Sequence, residues 1–158
     1  MKGIKILLEA FRNLDRSELH IFGSIGGQRT FLERYGTERV FFDGAFDNWD
    51  INAVLEKIDV LIVPSIWYEN SPLVIQEAFV AGVPVITSNI GGMAELVEDG
   101  VEGFTFDVGD KGALKEVMKR IEDDPEILND LDVGEAKVRS IQDDARFIQQ
   151  IYREVLGI

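Results

Sequence analysis

The chain has 158 residues, of which 46% are apolar and 28% charged, enough for one folded domain with a core and unlike a disordered segment. Its formal net charge of -13 argues against nucleic acid or an anionic membrane surface as a partner of the whole chain, since both demand clustered Lys and Arg. There is no cysteine, which excludes disulfides, thiolate metal sites and cysteine nucleophiles and fits a reducing compartment.

In chain order, "GIKILLEAFRNL" from Gly3 has helical periodicity and "LHIFG" from Leu19 reads as a strand. "GGQRTFLERYG" (26–36) is a second helical pattern, followed by the strand "RVFFDG" (39–44) and the helix "WDINAVLEKI" (49–58). A strand is expected over Asp59–Ser65; its run Val60 to Val63 is continuously apolar, as a strand covered on both faces requires. "SPLVIQEAFVAG" (71–82), "VPVIT" (83–87), "GGMAELVEDG" (91–100), "GFTFD" (103–107) and "DKGALKEVMKRIEDD" (110–124) continue the alternation. Strands alternating with helices of about 10–15 residues imply parallel βαβ crossovers. The expected fold is one doubly wound, Rossmann-like parallel α/β sheet in three layers, a single domain over residues 1–158.

Both ends read as parts of something larger. The first helix has no strand before it, whereas a doubly wound sheet ordinarily begins with one, so a first strand is expected to be missing. The last segment, "SIQDDARFIQQIYREVLGI", carries Ile141, Ala145, Ile148, Ile151, Tyr152 and Val155 at helical spacing. That stripe either packs on the sheet or serves a partner that is absent, and a dimer through this helix is one way to cover it. The longest apolar runs are too short to span a bilayer and no signal-peptide pattern opens the chain, so the expected location is cytoplasmic.

The chemistry-bearing stretch is "SIWYENSPLVIQEAF". Ser71 is a good helix N-cap and Pro72 suits the first helical position, which leaves the N–H groups of Leu73 and Val74 in the first turn, where the helix dipole favours an anion. In a parallel sheet this loop follows the carboxyl end of a central strand, where open α/β folds bind ligands. Glu77 lies too deep in the helix to be a cap; a carboxylate there can accept hydrogen bonds from a cis-diol. The bland alternative makes Glu69 a solvated loop acid and Glu77 an exposed helix residue.

Gly23 and Ser24 open a Gly-rich turn, "GSIGG", suited to close approach by a nucleotide. Ala45 and Phe46 follow a strand, and Phe46 serves either a nucleobase or the core. Gly91-Gly92 reads as a structural strand-to-helix turn and Glu95 as a bracing acid. His20, inside a predicted strand and without evident partners, is assigned no chemistry. No spacing argues for a metal, and no cofactor is expected.

The run "DVLIVPSIWYENSPLVIQEAFVAGVPVITSNIGGMAELVEDGVEGFTFDVGD" resembles the carboxyl-terminal, donor-binding domain of retaining glycosyltransferases with the GT-B fold, enzymes that build polysaccharides, glycolipids and glycosides from nucleotide-sugars. The likeness covers nearly the whole chain: "KGIKILLEAF" is similar to that domain's first helix, "LHIFGS" to its second strand and "GGMAELVEDGVEGFTF" to a later strand–loop–helix block. It implies that the family's E-x7-E motif falls on Glu69 and Glu77. Glu77 would then bind ribose hydroxyls. Glu69 would lie beside the transferred sugar as the catalytic carboxylate. The turn of Ser71, Pro72, Leu73 and Val74 would line the sugar and phosphate pocket. The resemblance also implies that Lys2 neutralises the departing diphosphate of a UDP- or GDP-type donor, with the family's arginine a few residues earlier outside this chain. The commonest family form has Gly-Phe-Gly after the first motif glutamate, where this chain has Asn70-Ser71-Pro72, which leaves the donor sugar open. The resemblance further implies that acceptor binding belongs to an amino-terminal domain not present in these residues. Without it the chain is expected to be inactive. The competing expectations are a non-enzymatic nucleotide-sugar-binding or partner-docking domain, and half of a GT-B nucleotide-sugar epimerase.

Overall fold

The computed structural model describes residues 3–24, 34–134 and 138–157. The helix expected over 26–36 and Lys2, an expected site residue, fall largely or wholly outside them.

The described chain opens with α1 (Ile4–Phe11), then β1 (Leu19–Phe22) and β2 (Val40–Gly44). A 3-10 turn at Asn48–Asp50 runs into α2 (Ile51–Leu55), followed by β3 (Leu61–Val63), α3 (Leu73–Val80) and β4 (Val85–Ser88). The chain continues through α4 (Gly91–Leu96), β5 (Gly103–Phe106), α5 (Lys111–Asp123) and α6 (Ile141–Leu156). Every strand pairing is parallel, and strands and helices alternate as the sequence implied. The fold is Rossmann-like, with parallel sheets flanked by helices.

Among the described residues the strands form two sheets rather than one. β1 pairs with β2 in a two-stranded sheet, and β3, β4 and β5 form the other in that order. In the larger sheet Ile62 lies opposite Ile86, and Ile86 opposite Phe104. β4 is fully buried along its length, as a strand paired on both edges and covered on both faces should be.

The core lies in two layers. On one side α1 and α5 contribute Leu7, Leu8, Phe11, Leu114 and Met118, packed with Leu19 and Ile21 of β1 and Ile86 and Phe106 of the larger sheet. On the other, α2, α3 and α4 contribute Leu55, Ile75, Phe79 and Met93 around Val85. One helical layer therefore rests on both sheets. α5 is capped by Asp110, whose Oδ1 accepts from the N–H groups of Gly112 (2.7 Å) and Ala113 (3.0 Å).

The last helix packs on neither layer. α6 has no buried residue, and Ile141, Tyr152 and Val155 are exposed. Its start is capped by Ser140, whose Oγ accepts from Asp143 N–H at 3.1 Å. Among the described residues no helix is long and apolar enough to cross a membrane.

Candidate functional site

The carboxyl ends of β1 and β3, the turn after β2 and the start of α3 open onto one cavity of about 1850 Å³, which continues between the two sheets to Arg16, Met118 and Pro125 at their far end. Gly23 and Ser24 line it from the end of β1, Phe46 from the turn after β2, and Pro64, Ser65 and Glu69 from the loop after β3. Pro72, Leu73 and Val74 complete that wall. Seven sequence-predicted residues, Gly23, Ser24, Phe46, Glu69, Pro72, Leu73 and Val74, are thus brought together. Ser71 and Glu77 are not among the lining residues.

The helix start differs in detail from the expectation. Pro72 is the N-cap of α3, with extended backbone (φ -63, ψ 115), and no side chain caps the helix. Ser71 lies one residue too early to cap; its Oγ instead accepts from Gln76 Nε2 at 2.8 Å. The first intrahelical bond runs from Ile75 N–H to Pro72 O (3.1 Å), so the amides of Leu73 and Val74 precede it in the turn facing the cavity. Glu77 is half-buried one turn beyond Leu73, on the same stripe of the helix.

The loop carrying Glu69 is held at several points. Ser65 is buried, and its Oγ donates to Glu69 Oε1 (3.3 Å) and accepts from Trp67 N–H (3.3 Å). Glu69 N–H donates to Trp67 O at 2.9 Å, and the carbonyl oxygen of Glu69 accepts from Gly92 N–H at 2.9 Å. Gly92 cannot be another residue without movement: a Cβ there would lie 1.6 Å from Asn70 O. The turn Gly91-Gly92, read from sequence as mostly structural, docks α4 against the Glu69 loop. Glu95 is exposed on α4.

A second close approach lies nearby. Gly3 precedes α1 with φ +81, and a Cβ there would meet Pro64 O at 1.6 Å. Only glycine combines that left-handed conformation with that contact. The start of α1 is therefore pinned to the end of β3.

Three residues near the site were not assigned from sequence. Pro64 and Ser65 lie at the carboxyl end of β3, which was the signal that could have found them. His20 does have partners: its Nδ1 is 3.0 Å from Asp43 Oδ2 and its ring stacks on Phe41, with centroids 4.8 Å apart. Those contacts come from the neighbouring strand. Phe46 is 38% exposed and meets Phe22 edge-on at 6.2 Å between centroids, so it belongs to an open aromatic face rather than the core. Among the described residues no group of three or more His, Asp or Glu side chains is gathered to hold a metal.

A family model described as "Glycosyl transferases group 1" matches residues 1–138. A curated relative, an uncharacterised 41.2 kDa protein in the cps region of Klebsiella pneumoniae, is 34% identical over 118 residues, covering 74% of this chain and 32% of that protein. Glycogen synthase of Mycobacterium tuberculosis is 32% identical over 132 residues, covering 78% of this chain and 32% of the enzyme. Among solved structures, Anabaena Alr3699/HepE in complex with UDP superposes with a TM-score of 0.79 at 26% identity, covering 99% of this chain and 46% of that one. Sucrose-phosphate synthase of Thermosynechococcus elongatus gives 0.74 at 27% identity, covering 99% of this chain and 43% of that one. The chain therefore spans about a third of these curated relatives and less than half of these solved chains.

Proposed function

Because the chain belongs to the glycosyl transferases group 1 family, we propose that residues 1–158 are the donor-binding half of a retaining glycosyltransferase of the hexosyl type. The donor is a nucleotide-sugar of the UDP or GDP type, transferred to an acceptor in polysaccharide, glycolipid or glycoside synthesis. The observation that carries this reading is the convergence of Gly23, Ser24, Phe46, Glu69 and the start of α3 on one cavity at the carboxyl ends of parallel strands. The UDP bound to Anabaena Alr3699/HepE, a chain of the same fold, supports it.

In this reading the diphosphate lies at the first turn of α3. There the N–H groups of Leu73 and Val74 and the helix dipole offset its charge without any need for net positive charge on the domain. Lys2 adds a cation from the segment before α1. Ser71 borders the same turn, and Phe46 lies against the base. Glu77 accepts hydrogen bonds from the ribose hydroxyls. Glu69, oriented by Ser65, acts beside the transferred sugar, binding its hydroxyls or supporting the positive charge that develops at C1 as the diphosphate departs. The acceptor is held by a separate amino-terminal domain across a cleft, so these residues alone bind donor without transferring it. The protein works in the cytoplasm and needs no metal or cofactor.

The test is calorimetric titration of the 158-residue chain with UDP, GDP, ATP and inorganic phosphate. Binding of UDP or GDP in preference to ATP and phosphate is expected. No binding of either diphosphate at millimolar concentration, or equal binding of all four, overturns the reading.

A further inference from the structure

The loop after β3 holds two aromatic rings out beside the candidate site. Trp67 and Tyr68 are 62% and 83% exposed, although Ser65 and Glu69 on either side of them line the cavity. The projection is fixed by the backbone. Trp67 N–H donates to Ser65 Oγ (3.3 Å), and Glu69 N–H folds back onto Trp67 O (2.9 Å). Tyr68 is seated against Gly91, where a Cβ would lie 3.3 Å from Tyr68 Cδ1 and 3.1 Å from Glu69 O; Gly91 has φ +57, which also favours glycine. Among the described residues neither ring meets another ring, and neither the Trp67 indole N–H nor the Tyr68 hydroxyl has a hydrogen-bond partner. Adjacent aromatic side chains held in water at the rim of a cavity mark a binding surface.

We propose that Trp67 and Tyr68 form a stacking platform for a neutral pyranose ring of the acceptor. The proposal rests on the donor reading above. A donor sugar beside Glu69 occupies the cavity side of this loop, so an acceptor approaches from outside the cavity, where the two rings stand. A pyranose presents C–H groups on its faces and hydroxyls around its edge. Aromatic faces suit the former, and the unpaired indole N–H and phenol hydroxyl suit the latter. A lipid chain or an apolar protein surface would leave those two polar tips unpaired. Charge narrows the class further. No Lys, Arg or His lies between Lys57 and Lys111, and the amides of Trp67 and Glu69 are already engaged. The platform therefore has little to offset an anion, and it favours a neutral sugar over a uronic acid or a sugar phosphate.

The test is an NMR titration of the 158-residue chain with maltose, cellobiose and N,N′-diacetylchitobiose, without nucleotide. The chain has two tryptophans, and Trp49, 97% exposed on the turn after β2, is an internal control. At least one disaccharide is expected to shift the Trp67 indole N–H saturably, with Kd on the order of 10 mM, and to leave that of Trp49 in place. Trp67→Ala and Tyr68→Ala, at exposed positions, should each weaken binding by about fivefold, and Trp67→Phe by less. The proposal is overturned if no disaccharide moves Trp67 at about 100 mM, or if both tryptophans shift together without saturation. It is also overturned if uridine moves Trp67 more than any disaccharide does, or if the Trp67 signal depends on protein concentration, since a base or a second copy then takes the rings. UDP binding without saccharide binding overturns the platform alone. Saccharide binding without UDP binding overturns the donor reading and leaves a carbohydrate-binding face.

Discussion

Gly92 N–H donates to the carbonyl oxygen of Glu69 at 2.9 Å, which ties the start of α4 to the loop bearing the candidate acid. That contact exists only because residue 92 lacks a side chain; a Cβ would fall 1.6 Å from Asn70 O. The obstacle is backbone rather than a flexible side-chain end, so it cannot simply rotate away.

Gly92→Ala is therefore expected to destabilise the domain by about 1–3 kcal/mol, the cost of overpacking a close contact. Urea denaturation measures it. A change below about 0.5 kcal/mol would mean that the α4 junction yields freely and does not hold the Glu69 loop.

Neighbouring residues at the end of β4 should respond in opposite ways. Thr87 and Ser88 are both fully buried, yet Thr87 Oγ1 donates to Val63 O at 3.1 Å while Ser88 Oγ has no hydrogen-bond partner among the described residues. Thr87→Val should cost about 1 kcal/mol, whereas Ser88→Ala should be neutral or slightly stabilising, because it removes an unsatisfied polar atom. Equal losses at both positions would contradict the difference in bonding.

Glu122 links α5 to the segment before β1. Its side chain is buried, which pushes its pKa up. Four donors from three residues outweigh that: the Arg16 N–H (2.7 Å), Lys119 Nζ (3.0 Å) and the N–H (3.0 Å) and hydroxyl of Ser17 bring it down to about 2. A carboxyl whose folded pKa lies below its unfolded value near 4.5 adds stability above pH 4.5. That stability is lost as pH falls towards 2. The contribution is roughly 3 kcal/mol at neutral pH. Glu122→Gln should lower stability at pH 7 and flatten its decline between pH 5 and 2, measured by denaturation across that range. An unchanged pH profile would remove Glu122 from the account.

The two carboxylates proposed to act on the donor, Glu69 and Glu77, should separate by assay. Glu77→Ala is expected to weaken UDP or GDP binding to the 158-residue chain by about 1–3 kcal/mol, the loss of a charged hydrogen-bonding group. Equal affinities by calorimetry would remove ribose from Glu77. With radiolabelled donor and a panel of acceptors, no sugar transfer by these residues alone is expected, since positioning of both reactants supplies much of the rate. In a longer protein that also carries an acceptor domain, Glu69→Ala should lower kcat more than donor affinity.

Much of this was legible in the sequence. The continuous apolar run at Val60–Val63 and the alternation of strand and helix patterns identified the parallel fold, and the segment from Glu69 to Val74 was found where β3 delivers it. What could not be read depended on contacts distant in sequence. His20 meets Asp43 only because β1 and β2 are adjacent, and Glu69 meets Gly92 only because α4 folds back on it. The Ser-Pro pair suggested a cap at Ser71, but the helix starts one residue later and Gln76 takes the serine hydroxyl. Periodicity made α6 amphipathic without saying what its stripe meets. It meets nothing among the described residues of the two core layers.

The central claim, a nucleotide diphosphate seated at the start of α3, is tested most directly by amide-resolved NMR titration of the chain with UDP and with GDP. The account predicts that the largest saturable shifts fall on Ser24, Glu69, Leu73, Val74 and Glu77. Shifts confined to surfaces away from the cavity, such as α6, or no saturable shift up to millimolar nucleotide, would contradict it.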